Sequence, residues 1–232
     1  MKQTRYNTFN LIHKALRASL YDAANTLQRT DFSSREQGWN AIRKVERVLF
    51  YFDEHAKHEN NFILPAIQRY NAKLVDDFER EHVTDHALSK NINDYIIDWK
   101  VTYDEEEMID LGTQIFYEFN EFIAFNLYHM NKEEDLLNKV LWEHYSDLEI
   151  LQIHQALVQS IEPAVLAEQS KWIIRSINDA ELTQWINGIR NSAPEHAFKA
   201  FLQMAESELP AERWSYLKDA IRGKAVVSDI YG

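Results

Sequence analysis

The stretch FDEHAKHENNFILPAI, residues 52–67, decides how the chain is read. It gathers Glu54, His55, His58 and Glu59 within six positions and then runs into Phe62, Ile63, Leu64 and Pro65. Four residues is just over one helical turn, so on a helix His55 and Glu59 project from one face, close enough to grip one ion. The arrangement returns in NLYHMNKEEDLLNKVL, residues 126–141, where His129 and Glu133 repeat the spacing 74 residues further on.

Around these two motifs the chain reads as all-α. Only 5 Gly and 4 Pro punctuate 232 residues, and the strong helix formers are plentiful. A first helix is expected over 7–29, with Phe9, Ile12, Leu16, Leu20 and Leu27 on one stripe and His13 beside it. Ser33 with Glu36, or Ser34 with Gln37, offers a capping box for a second helix over 35–70. A third is expected over 74–101, carrying His82 and His86, and a fourth over 106–144, with acids at its positive end. Four long helices joined by short polar turns predict an up-and-down bundle over residues 1–145. Residues 146–232 form a C-terminal helical extension with start signals at Ser146-Asp147, Glu162-Pro163, Asp179, Pro194 and Pro210. The prolines are read as first helical residues, and the short helices as two or three hairpins. Gly223 is expected to end the last helix, with KAVVSDIYG as a tail.

Composition narrows the chemistry. A net charge of −12 argues against a nucleic-acid partner, which needs clustered Lys and Arg. No cysteine means no disulfide, no thiolate metal site and no cysteine nucleophile, so any metal is held by His, Asp and Glu. No apolar run approaches the roughly 18 residues of a membrane span, and the N-terminal residues lack a signal-peptide pattern, so the expectation is a cytoplasmic protein with no membrane partner.

Alone, each His-x-x-x-Glu pair reads as a solvated ion pair, and His13 as a core histidine. Their coincidence reverses this, because histidine occurs on all four bundle helices and two of these helices also carry the carboxylate. A carboxylate can bridge two ions, and the metal charge offsets the cost of burying acids. The predicted metal ligands are His13, His55, Glu59, His82, His86, His129 and Glu133. His58 points away from His55 and reads as an outer neighbour; His144, His154 and His196 lack a partner at ligand spacing.

This combination, spread over roughly residues 8–143, resembles the hemerythrin-like family, or HHE cation-binding domain. It rests on FNLIHKAL, EHAKHENNFILPAI, EREHVTDHAL and YHMNKEEDLL, with His13, His55, Glu59, His82, His86, His129 and Glu133. The resemblance implies a centre of two iron ions bridged by Glu59 and Glu133, with histidines in terminal positions. The chemistry of the donors also accepts Mn or Zn. Two choices stay open: Glu133 against Glu134, since oxygen-carrying relatives space His and acid by five, and His82, His86 or both on the third helix.

The first functional expectation is a protein that binds or senses a small diatomic ligand, O2 or NO, or holds iron. The alternative is a redox enzyme acting on NO, peroxide or O2; the branch that repairs iron–sulfur centres fits less well without cysteine. A third reading is a helical scaffold with incidental histidines. Phe9, Phe52, Phe62, Phe125 and Tyr128 read as core that can also line a dry pocket. The C-terminal helices are open to capping the bundle, covering the site or forming a homodimer surface.

Overall fold

The computed structural model describes residues 5–222, and all regular elements among them are helical. In order these are α1 (Asn10–Leu27), α2 (Arg35–His58), a π-helical segment (Glu59–Ile63), α3 (Leu64–Gln68), α4 (Ala72–Val101), α5 (Glu105–Lys132), a second π-helical segment (Glu133–Leu137), α6 (Asn138–His144) and α7 (Asp147–Ser160). Helix α1 packs on α2 and α5, and α4 packs on the same two, which closes the expected four-helix bundle. None of the described helices is long and apolar enough to cross a membrane.

Local chemistry sets the helix starts. Of the two caps offered before α2, the chain uses Ser34, whose side chain accepts from the Gln37 N–H. Asp104 caps α5 by accepting from the Glu107 N–H, and Glu105, Glu106 and Glu107 sit at its positive end. Asn71 does the same for α4. Arg5 closes the end of α6, donating to the Trp142 and Tyr145 carbonyls and pairing with Asp147.

The core follows a strict alternation of three- and four-residue steps. On α4 the buried positions are Val75, Phe78, His82, Asp85, Ser89, Ile92, Ile96 and Trp99. On α5 they are Met108, Gly112, Ile115, Phe119, Phe122, Asn126 and His129, with Met130 beside the last. Two glycines are sites of close approach: a Cβ on Gly38 would lie 2.2 Å from Trp99, and one on Gly112 would lie 2.1 Å from Phe32. We therefore expect Gly112→Ala to destabilise the bundle by about 1–3 kcal/mol through overpacking. Gly188, with open space around its Cβ position, is expected to gain about 0.5–1 kcal/mol as Ala. Urea melts of both variants check this; equal stabilities would contradict the packing.

The helices expected over 35–70 and 106–144 are each broken by one π turn. In both the turn opens on the motif glutamate, and the chain closes it by an N–H five residues on, Leu64 to the Glu59 carbonyl and Asn138 to the Glu133 carbonyl. Pro65, lacking an N–H, suits the first turn, but the second has no proline. What the two share is the His-x-x-x-Glu motif.

The chain divides into two compact units at Ile161, so the domain boundary expected at 145 moves by one helix. The reason is α7, whose Ile150 lies in the core cluster of Phe9, Ile63, Leu64, Ile67, Phe78, Leu137 and Leu141. The second unit holds α8 (Pro163–Ser176), α9 (Asp179–Ser192), α10 (Glu195–Glu208) and α11 (Ala211–Ile221). Its α8 pairs chiefly with α10 and its α9 with α11. Simple hairpins of consecutive helices are therefore not the main pairing. Pro163 is a first helical residue as expected, whereas Pro194 and Pro210 occupy the cap position. The caps Ser146, Glu162, Asn178, Pro194 and Pro210 fall sixteen residues apart. The joints Ile177-Asn178, Ala193-Pro194 and Leu209-Pro210 share one extended conformation, and the fourth helical position is apolar each time: Ile150, Leu166, Leu182, Phe198 and Trp214. This is an internal repeat of single helices. Gly223 and the tail lie outside the described residues.

Candidate metal centre

Six of the seven predicted residues meet in the middle of the bundle. His13 comes from α1, His55 from the last turn of α2, Glu59 from the first π turn, His82 from α4, His129 from α5 and Glu133 from the second π turn. They form two groups of four. His13, His55, Glu59 and Glu133 offer ligand atoms within 4.8 Å of one another, and so do Glu59, His82, His129 and Glu133.

The two glutamates belong to both groups, and each turns one oxygen to either side. Glu59 Oε1 lies 3.1 Å from His55 Nε2 and 4.0 Å from His13 Nε2, while its Oε2 lies 3.3 Å from His82 Nε2. Glu133 Oε1 lies 2.9 Å from His129 Nε2 and 3.8 Å from His82 Nε2, while its Oε2 lies 3.5 Å from His13 Nε2. Glu59 is 1 % exposed and Glu133 fully buried. Apart from the imidazole nitrogens that face them, none of their four oxygens has a hydrogen-bond partner among the described residues. Buried carboxylates without donors are strongly unfavourable unless a cation answers them. Each of the two groups of four thus has a donor set that could hold a metal ion.

Outer contacts hold the imidazoles in place. His13 Nδ1 lies 2.9 Å from Glu134 Oε1, which also pairs with Arg17 at 2.8 Å. His129 Nδ1 lies 2.7 Å from Glu81 Oε2, and Glu81 pairs with Lys132. His82 Nδ1 meets the side-chain oxygen of Asn60 at 2.8 Å. Carboxylates and amide oxygens only accept, so each Nδ1 carries a proton and Nε2 is the nitrogen turned to the cluster, able to bind once it is deprotonated.

The geometry separates Glu133 from Glu134. Glu133 points inward, whereas the Glu134 side chain is 29 % exposed and turned to His13 and Arg17. Burial would raise Glu134, but those two partners bring it down to about 2. His86 is corrected. The inward step after His82 is three residues, so Asp85 takes the buried place and His86 is exposed. His58 stands outside both groups, His144 stacks on Tyr70, and His196 is exposed. Phe9 packs on His13 and Phe125 stacks on His129, while Tyr128 is exposed. Sequence reasoning missed Glu81, Asn60, Arg17 and Lys132. They carry no motif of their own, and only the packing of α1, α4, α5 and the two π turns brings them into the network around the histidines.

Charge inside the cluster is uneven. Burial opposes protonation of His82, but Glu133 and Glu59 outweigh it and hold the imidazole at about 10. Burial acts likewise on His129, and Glu133 and Glu59 raise it to about 9. His13 goes the other way, lowered mainly by burial. Without metal, His82 and His129 are therefore cationic at pH 7. Binding a metal must displace both protons, since imidazole coordinates in its neutral form. We expect roughly two protons released per chain on loading at pH 7, measured by titration calorimetry in buffers of different ionisation enthalpy; a release near zero would contradict this charge state.

An all-α bundle with a buried, doubly shared His/Glu cluster defines a metal-binding class of helical protein. The sequence matches the hemerythrin HHE cation binding domain over residues 4–141, more than half of the chain, and the protein belongs to that family. No curated protein and no solved structure gives a significant match.

Proposed function

We propose that this chain is a non-haem di-iron protein that binds or senses O2 or NO, or holds iron, at the His/Glu cluster. One observation carries the reading: Glu59 and Glu133 each direct one oxygen to His13 and the other to His82, the arrangement two bridging carboxylates require. Family membership favours iron, and Mn or Zn also suits these donors. An iron pair held by these residues would supply redox-active ions able to take up a small molecule.

The protein's own part is to hold and dry the site. Glu134, Glu81 and Asn60 fix the imidazole orientations, and the Phe9, Ile63, Phe78 and Leu137 layer excludes water from one side. The test is metal analysis of anaerobically purified protein, followed by absorption spectra with O2 and with NO. A new band that disappears when the gas is removed supports a binder or sensor. Steady consumption of O2, NO or peroxide makes the chain an enzyme instead, and iron-loaded protein unchanged by either gas leaves iron holding.

A further inference from the structure

One buried acid stands apart from the metal cluster. Asp85 is 5 % exposed, and its bond within the core is with Asn126, itself 1 % exposed, at 2.6 Å. Asn126 is fixed in turn by the Phe122 carbonyl at 3.1 Å. Asp85 follows His82 by three residues on α4, and Asn126 precedes His129 by three on antiparallel α5. The His82 and His129 rings lie 5.1 Å apart, so Asp85 and Asn126 form the next layer, about 4.5 Å along the bundle axis.

That layer differs from its surroundings. The opposite side of the cluster is closed by Phe9, Ile63, Phe78 and Leu137. Phe122, whose carbonyl accepts from Asn126, is buried and in edge contact with buried Phe52 at 5.3 Å. A carboxyl group held there by one amide weakens the fold, because an apolar side chain of similar size would avoid its desolvation. Its one structural partner does not account for it, but its place one turn from two candidate ligands does.

We infer that Asp85, steadied by Asn126, is a positioning residue that gives a hydrogen bond to the small molecule held at the metal cluster. The inference rests on the reading of that cluster as a metal centre open to O2 or NO. Burial raises the Asp85 carboxyl above its ordinary value while Asn126 partly offsets this, a shift in the direction of the neutral form that can donate. In a dry pocket a single such bond discriminates strongly, because nothing else there can replace it.

The test uses the full chain loaded with iron and exposed to NO, with Asp85→Leu and Asp85→Asn as variants. Three readouts are taken: iron content, thermal stability of the metal-free protein, and the rate at which NO leaves after mixing with a scavenger. Asp85→Leu is expected to keep its iron, melt higher, and lose NO at least about tenfold faster. Asp85→Asn, which still offers an N–H, should stay within a few fold of the natural chain. Equal NO release from all three proteins, or loss of iron in Asp85→Leu, overturns the inference. Natural protein that takes up no iron or no NO would instead sink the reading of the site on which it rests.

Discussion

Glu59→Ala is expected to empty the whole cluster rather than half of it. Its Oε1 faces His55 and His13, and its Oε2 faces His82, so one truncation takes a donor from both groups of four. Outer contacts of a metal site are worth about 10–100-fold in affinity, and loss of a shared inner carboxylate should exceed that range. His55→Ala removes a donor from one group only, and His86→Ala removes none, since His86 is exposed. Metal retention after dialysis against a weak chelator should therefore fall in the order His86→Ala, His55→Ala, Glu59→Ala. Glu133→Ala should match Glu59→Ala. If the His86 variant lost metal like Glu59→Ala, the exposed placement of that residue would be wrong.

The second large effect is stabilisation by metal that grows with pH. In the metal-free protein His82 and His129 are raised to about 10 and about 9, from 6.5 when unfolded. A raised imidazole contributes stability below its unfolded value and loses it as pH climbs through the folded one. Glu59 has the opposite sign. Burial raises it, but His55 and His82 pull it well below the ordinary 4.5, so its contribution is present above that value and lost on acidification. The metal-free cluster is thus at its best between about pH 4.5 and 6.5 and weakens toward pH 9 and 10. Metal affinity moves the other way, because fewer protons then compete for Nε2. At a metal concentration a thousandfold above the dissociation constant each site adds about 4 kcal/mol. For a unit of this size that amounts to a rise in Tm of roughly 10 °C or more. The gap between loaded and stripped protein should widen from pH 6 to pH 9 in thermal melts; a constant or shrinking gap would contradict these charge states.

Much of this was legible in the sequence because helical spacing turns directly into shared faces. His55 and Glu59, like His129 and Glu133, were readable from a four-residue step, and the four long apolar stripes gave the bundle. The same rule misled at His86. Its four-residue step from His82 left the choice between them open, and the buried path along α4 takes a three-residue step there, to Asp85. The π turns were hidden because an α and a π turn use the same residue types; Pro65 alone hints at the first. Glu81 and Glu134 reach their histidines across 48 and 121 positions of sequence, beyond what local spacing can report. The sixteen-residue rhythm of the later helices was written in the caps at Ser146, Glu162, Asn178, Pro194 and Pro210, but reading those starts as separate hairpins concealed it.

The central claim is that one buried cluster holds two ions through shared Glu59 and Glu133. Native mass spectrometry of the full chain, titrated anaerobically with ferrous iron, tests it most directly. The account predicts two bound ions per natural chain, one in His55→Ala and none in Glu59→Ala; a natural chain that binds one ion or none, or a Glu59→Ala variant that still binds two, would contradict it.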